Sequence, residues 1–289
     1  MAGRQAITLA TATPGGGFPL YGGVVAEVVN ALDPSLHVLC RNTKGSTENV
    51  PLLEASEVDL GLVTGEVAIE PFSRKSGLTV VTAMYSTAGM FVVRGDSASR
   101  SIADLKGKPV AFGARGSGLV VLARTVLDGM GLDMERDFTA IYLDRAGDGP
   151  DMVQDGRAAA LWGGGIGWPG FARVAEAGGR FIAPSPAEVA QIRARHAFLK
   201  PLAIPAGAYP GQSEPIHSVG SWSFVLARPD LPDDTGYRLA KALHQGEAML
   251  AQKLDQARET TATNTAAAAP DPTQIHPGVA RHLREIGVL

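Results

Sequence analysis

A single cysteine, Cys40, occurs in 289 residues, which excludes an intramolecular disulfide and any cysteine-based zinc site. A lone thiol in a chain of this size is expected to be a buried structural residue, and its count says little about compartment, because large exported proteins often lack disulfides. Charge is scarce as well. Asp, Glu, Lys and Arg make up 19% of the chain and nearly cancel, leaving a net charge of -3. With no run of Lys and Arg, a nucleic acid partner is not expected. No apolar stretch reaches the roughly 18 residues that a membrane-spanning helix needs, so direct membrane insertion is not expected either. Met1, Ala2, Gly3, Arg4 and Gln5 lack the apolar segment of an export signal. Either a signal has been removed or the protein is cytoplasmic.

Catalytic signatures are also missing. Ser117 is not a nucleophile elbow, because Arg115 stands where G-x-S-x-G needs its first glycine. No H-E-x-x-H pattern occurs among the six histidines, and His276 and His282 read as solvent-facing or helix-capping groups, not metal ligands. No metal, cofactor or enzymatic activity is expected.

Hydrophobic residues at 45% supply ample core, and the length suggests about two domains. Four times, at residues 6–17, 36–49, 109–118 and 158–170, an apolar strand-like run breaks into a Gly/Ser-rich loop and then a helix pattern. Unpaired N–H groups and about half a positive charge sit at each helix start. Several such starts facing one cleft would hold an anion without a basic side chain. The leading reading is a receptor for a small acid.

Residues 6–12, 37–40 and 58–63 read as strands. Leu20, Val24, Val28 and Leu32 mark the buried face of the first intervening helix, and Val50, Leu52 and Leu53 that of the second. Strands at 78–85 and 90–94 follow, and the β-α-β pattern restarts at Pro109. Helices are expected over 119–130, 171–177 and 191–198, a loop over 201–211, a strand over 217–228, and a polar arm over 260–277. The layout is α/β: two lobes, each a mixed, mostly parallel sheet flanked by helices. Residues 1–88 and 218–289 form lobe 1, and 89–217 form lobe 2. Crossings near 86–89 and 217–220 make a two-segment hinge, with a ligand cleft between the lobes at the carboxyl ends of the strands.

Each candidate site has two readings. Gly15, Gly16 and Gly17 allow close approach of backbone to a ligand, or a tight turn. Ser46, Thr47 and Asn49 offer donors to a ligand, or cap their helix. Arg115 can fork onto a carboxylate beside Gly116, Ser117 and Gly118, or lie exposed. Trp162 and Trp168 flank a glycine-rich segment that includes Gly164 and Gly165, a floor with an aromatic wall. Gly165, Gly167 and Gly170 formally match the dinucleotide fingerprint, but Pro169 disturbs the helix entry and the motif is short. Glu66 can meet an ammonium group, or be a solvated acid favoured by the helix dipole.

The run Ala10-Thr11-Ala12-Thr13-Pro14-Gly15-Gly16-Gly17-Phe18-Pro19-Leu20-Tyr21, the run Thr43-Lys44-Gly45-Ser46-Thr47-Glu48-Asn49, and Glu57-Val58-Asp59-Leu60-Gly61 together resemble the solute-binding proteins of TRAP transporters, TAXI family. Gly116-Ser117-Gly118, Ile204-Pro205-Ala206-Gly207 and Ile275-His276-Pro277-Gly278 continue the likeness over nearly the whole chain. The resemblance implies a type II periplasmic-binding-protein-like fold and a periplasmic receptor that passes a small organic acid, such as an amino acid or dicarboxylate, to a TRAP permease. An enzyme on the same scaffold, or a cytoplasmic ligand sensor, is the alternative. Ligand contacts map onto the first glycine loop, Ser46, Asn49 and residues 116–118. The full candidate set adds Phe18, Tyr21, Thr47, Thr64, Gly65, Glu66, Tyr85, Arg115, Gly164, Gly165 and Trp168. Thr64-Gly65-Glu66 departs from the family's usual Gln-Ser-Asp, and the Trp-rich glycine loop is unusual, which suggests a ring-bearing or longer acid.

Overall fold

A computed structural model of the chain describes residues 4–289. Met1, Ala2 and Gly3, which open the segment read above for an export signal, lie outside the described residues. The chain forms two compact units. One comprises the chain up to Ala12, Phe18–Tyr85 and Trp222–Leu289, and the other Thr13–Gly17 with Ser86–Ser221.

In chain order the first unit opens with β1 (Gln5–Ala10), α1 (Gly17–Leu32), β2 (Leu36–Arg41), α2 (Ser46–Glu54), β3 (Leu60–Thr64) and α3 (Gly65–Ser73). Strand β4 (Thr79–Val93) carries the chain into the second unit. That unit holds β5 (Pro109–Gly113), α4 (Gly118–Gly129), β6 (Thr139–Tyr142), α5 (Gly149–Gln154), β7 (Ala160–Gly164), α6 (Pro169–Glu176), β8 (Arg180–Ile182), α7 (Pro186–Arg195) and β9 (Lys200–Ile204). Strand β10 (Ile216–Ala227) returns the chain to the first unit, which α8 (Asp233–Gln245), α9 (Glu247–Lys253), α10 (Ala262–Ala268) and α11 (Pro277–Glu285) complete.

The first unit's sheet runs β2-β1-β3-β10. Strands β1, β2 and β3 are parallel, with Leu9 opposite Cys40 and Leu60, and β10 is antiparallel to β3. Helices cover both faces, so β3 is apolar on both sides: Leu60 and Leu62 join one core cluster, and Val63 another. In the second unit β5 lies parallel between β6 and β7, and β7 pairs antiparallel with β4 through Phe91 and Trp162. Strand β8 adds to β4, and β9 to the first half of β10. Among the described residues no helix is long and apolar enough to cross a membrane.

Several local expectations need correction. Helix α1 buries Tyr21, Val25, Val28 and Val29, while Leu20 is 43% exposed; the four-residue spacing drifts off a straight face because a turn takes 3.6 residues. The segments 78–85 and 90–94 are one continuous strand of 15 residues, β4. Residues 201–204, expected to open a proline loop, belong to the edge strand β9 paired with β10, where Pro201 is tolerated. The arm 260–277 contains α10, held by Thr265 Oγ1 accepting from Ala83 N at 3.1 Å. Cys40 is exposed, not buried: it sits in the last three residues of edge strand β2, all of them exposed.

Candidate functional site

In the first unit the carboxyl ends of β1 and β3 meet the start of α2. The turn before α2 needs Gly45, at φ 110°, a conformation open to glycine at little cost. Gly61 gives α2 room to approach, since a Cβ there would stand 2.9 Å from the Leu53 side chain. Asn49 is thereby brought onto the strand ends, fully buried. Its amide donates to the carbonyls of Thr11 and Leu62, both at 2.8 Å, and its oxygen accepts from Thr43 Oγ1 at 2.7 Å. All of its hydrogen-bonding directions except one lone pair are thus used within the protein. Asn49 therefore positions the strand ends, which corrects the expectation of a donor turned to ligand.

Ser46, also fully buried, accepts from Thr64 N at 3.1 Å. Ser46 is the first residue of α2 and Thr64 precedes α3, so this bond places two helix N-termini side by side. Neither is capped by its own side chain: Gly45 has none, and the Thr64 hydroxyl makes no capping bond despite its extended backbone, φ -74° and ψ 151°. Helix α7 contrasts with them, closed by a complete capping box of Ser185 and Glu188. Thr47 follows Ser46 in the first turn of α2, and Gly65 and the buried Glu66 form the first turn of α3, where the dipole favours the acid.

Within the loop that follows β1, Gly15 adopts φ 81° and is the member of the glycine triplet that the backbone requires; Gly16 and Gly17 do not share that conformation. Phe18 packs against the first unit's core. Tyr21 and Tyr85 lie inside that core, ring centroids 5.5 Å apart and edge to face. Thr260 Oγ1 donates to Met84 O at 2.7 Å, so the Tyr21 hydroxyl is the donor in its 3.0 Å bond to Thr260. Burial pushes both phenols above their usual range. Both are core residues, and the Tyr21 hydroxyl is spent on Thr260.

In the second unit Ser117 caps α4, accepting from Val120 N at 3.4 Å, with Gly116 before it and Gly118 opening the helix. Arg115 is exposed, its guanidinium 3.9 Å above the Tyr142 ring. The loop after β7 has Gly165 at φ 89° and Gly167 at φ 68°. It is fastened by Tyr209, whose hydroxyl donates to Gly165 O at 2.6 Å and accepts from Trp168 N at 3.1 Å. Gly164 ends β7, buried. The Trp168 ring is buried over Gly163 and Gly170, where a Cβ would fall within 2.2 and 2.6 Å of it. Trp162 is fully buried, donates from Nε1 to Leu119 O at 2.8 Å, and packs on Phe91. The aromatic wall expected of Trp162 or Trp168 is core packing instead, each ring being buried in a core cluster. Among the described residues no group of His, Cys, Asp and Glu is arranged to hold a metal.

A profile described as the NMT1-like family matches residues 9–287. The chain belongs to the NMT1-like family. Solved structures agree on the fold of this NMT1-like protein. A periplasmic transporter superposes with a TM-score of 0.59 at 16% identity, over 97% of this chain and 93% of its own. The alkanesulfonate-binding protein SsuA of Xanthomonas axonopodis pv. citri, bound to MOPS, gives 0.53 at 18%, over 98% and 85%. The periplasmic aliphatic sulphonate-binding protein SsuA of Escherichia coli gives 0.51 at 18%, over 96% and 91%. The fold is that of the type II periplasmic solute-binding proteins, mixed sheets with flanking helices, as the sequence led us to expect.

Thr11, Thr43, Ser223 and Tyr209 belong to these sites and are absent from the candidate set above. Thr43 sits two residues before the Gly45 turn and was legible as a turn-stabilising hydroxyl. Ser223 and Tyr209 arrive from distant segments, and no local signal marks them.

Proposed function

We propose that this NMT1-like protein is an extracytoplasmic solute-binding receptor for a small organic anion, a carboxylate or a chemically similar oxyanion. The observation that carries the reading is the 3.1 Å bond from Thr64 N to Ser46 Oγ, which sets two helix starts without side-chain caps against buried hydroxyls at the strands' carboxyl ends. One helix end contributes about 0.3 to 2 kcal/mol toward an anion, whereas micromolar to nanomolar affinity needs roughly 8 to 12 kcal/mol. Two adjacent ends, hydroxyl donors and apolar contact are all required.

The finer reading follows the resemblance: a TAXI-type receptor, periplasmic, delivering an amino acid or dicarboxylate to a TRAP permease without chemical turnover. Native mass spectrometry of freshly purified protein tests the central claim, because tight receptors retain cargo. A copurifying small acid, released unchanged on denaturation, is the expected result. A chemically altered product on incubation with that acid favours an enzyme on the same scaffold and overturns the receptor.

A further inference from the structure

On one face of the first unit's sheet, two antiparallel rows run side by side: Leu60, Leu62, Thr64 on β3, and Ala227, Val225, Ser223 on β10. The first two members of each row belong to one core cluster. The third changes character on both strands at once, and Thr64 and Ser223 are direct cross-strand partners. Directly opposed side chains lie on one face with Cβ atoms about 4.5 to 5.5 Å apart. Thr64 is 4% exposed and Ser223 0%. Neither hydroxyl has a hydrogen-bond partner, not even the other.

Buried hydroxyls in native proteins are nearly always paired, and leaving one unpaired is costly. Valine and alanine would fill these positions and continue the rows. Thr64 N is meanwhile bound to Ser46 Oγ, and the Thr64 hydroxyl, placed where it would ordinarily cap α3, does not do so. The helix dipoles make this corner favourable to negative charge. We infer that Thr64 and Ser223 form a paired hydroxyl subsite that donates two hydrogen bonds to oxygens of the ligand's anionic group. The inference rests on the receptor reading and adds Ser223 as a recognition residue. The shielding of both hydroxyls from water strengthens bonds made there.

The test compares wild type with Ser223→Ala, Thr64→Val and Thr64→Ser, titrated calorimetrically with ethanesulfonate, propanoate, succinate and L-glutamate, alongside urea unfolding without added acid. Hydrogen bonds to charged groups predict a loss of about 10- to 100-fold in affinity for Ser223→Ala and Thr64→Val. Thr64→Ser, which keeps the hydroxyl, stays within about threefold. The urea midpoints of Ser223→Ala and Thr64→Val equal or exceed wild type, because an unpaired hydroxyl has been removed. The sulfonate and carboxylate arms identify which oxyanion is read. Unchanged affinity in Ser223→Ala, or a lowered midpoint, overturns the subsite and leaves the receptor standing. If none of the four acids binds wild type, both are overturned.

Discussion

Asn49→Ala separates a positioning residue from a ligand contact. The side chain makes three buried hydrogen bonds, to the Thr11 and Leu62 carbonyls and from Thr43. At about 0.5 to 1.5 kcal/mol net apiece these sum to roughly 3 kcal/mol. For a domain of about 150 residues each kcal/mol moves the melting midpoint by roughly 2 to 4 °C, so a fall of about 6 to 12 °C is expected. Part of the loss is the stranded Thr43 hydroxyl, so adding Thr43→Val to Asn49→Ala costs less than the two changes measured separately. Asn49→Asp fares little better, because an acceptor replaces the donor facing two carbonyls. Circular dichroism melts of wild type, the three single variants and the double variant read this directly. A midpoint for Asn49→Ala within about 1 °C of wild type, combined with weakened binding, refutes the staple and returns Asn49 to the ligand.

Three other outcomes are expected. Gly220→Ala destabilises by about 1 to 3 kcal/mol or more, since a Cβ there would fall 1.7 Å from Thr87 O; an unshifted urea midpoint contradicts that close approach. Arg238 grips Asp33 with two parallel bonds of 2.9 Å, which hold the Asp33 carboxyl well below its usual range. Arg238→Lys loses the fork at about 1 kcal/mol, and a stability equal to wild type at pH 7 counts against it. His282 Nε2 lies 3.2 Å from His244 Nδ1, and burial, then His244, lowers the His282 pKa; Lys241 adds to this and Glu285 opposes it. The unfolded chain therefore binds the extra proton first, so this contribution is intact above roughly pH 6.5 and declines as pH falls toward the folded value. His282→Leu should flatten that decline in urea midpoints; an unchanged profile removes His282 as its source.

The α/β layering was legible because strands covered on both faces read as apolar runs, and the Gly/Ser breaks marked the turns into α1, α2 and α4. Tyr21 was noticed for its place in a motif, but its role came from Thr260, more than 200 positions away. Sequence alone marks Ser46 as a cap for its own helix, whereas its hydroxyl serves the neighbouring one. Trp162 and Trp168 were visible as large side chains beside glycines; only packing distinguishes an aromatic that lines a site from one that fills the notch glycines leave. Local pattern specifies elements, whereas the partners of buried polar atoms depend on strand register and on segments that meet only in the folded chain.

The exposed position of Cys40 has a practical use. It is the sole sulfhydryl, on an edge strand, and its sulfur rests toward α1, 3.5 Å from where a Cβ on Gly22 would stand. That partial cover raises the thiol pKa, so maleimide or haloacetamide dyes will couple slowly at neutral pH and faster in mildly alkaline buffer. A fluorophore can thus be attached at one defined place on the native chain, giving an optical reporter for solute titrations without engineering the sequence.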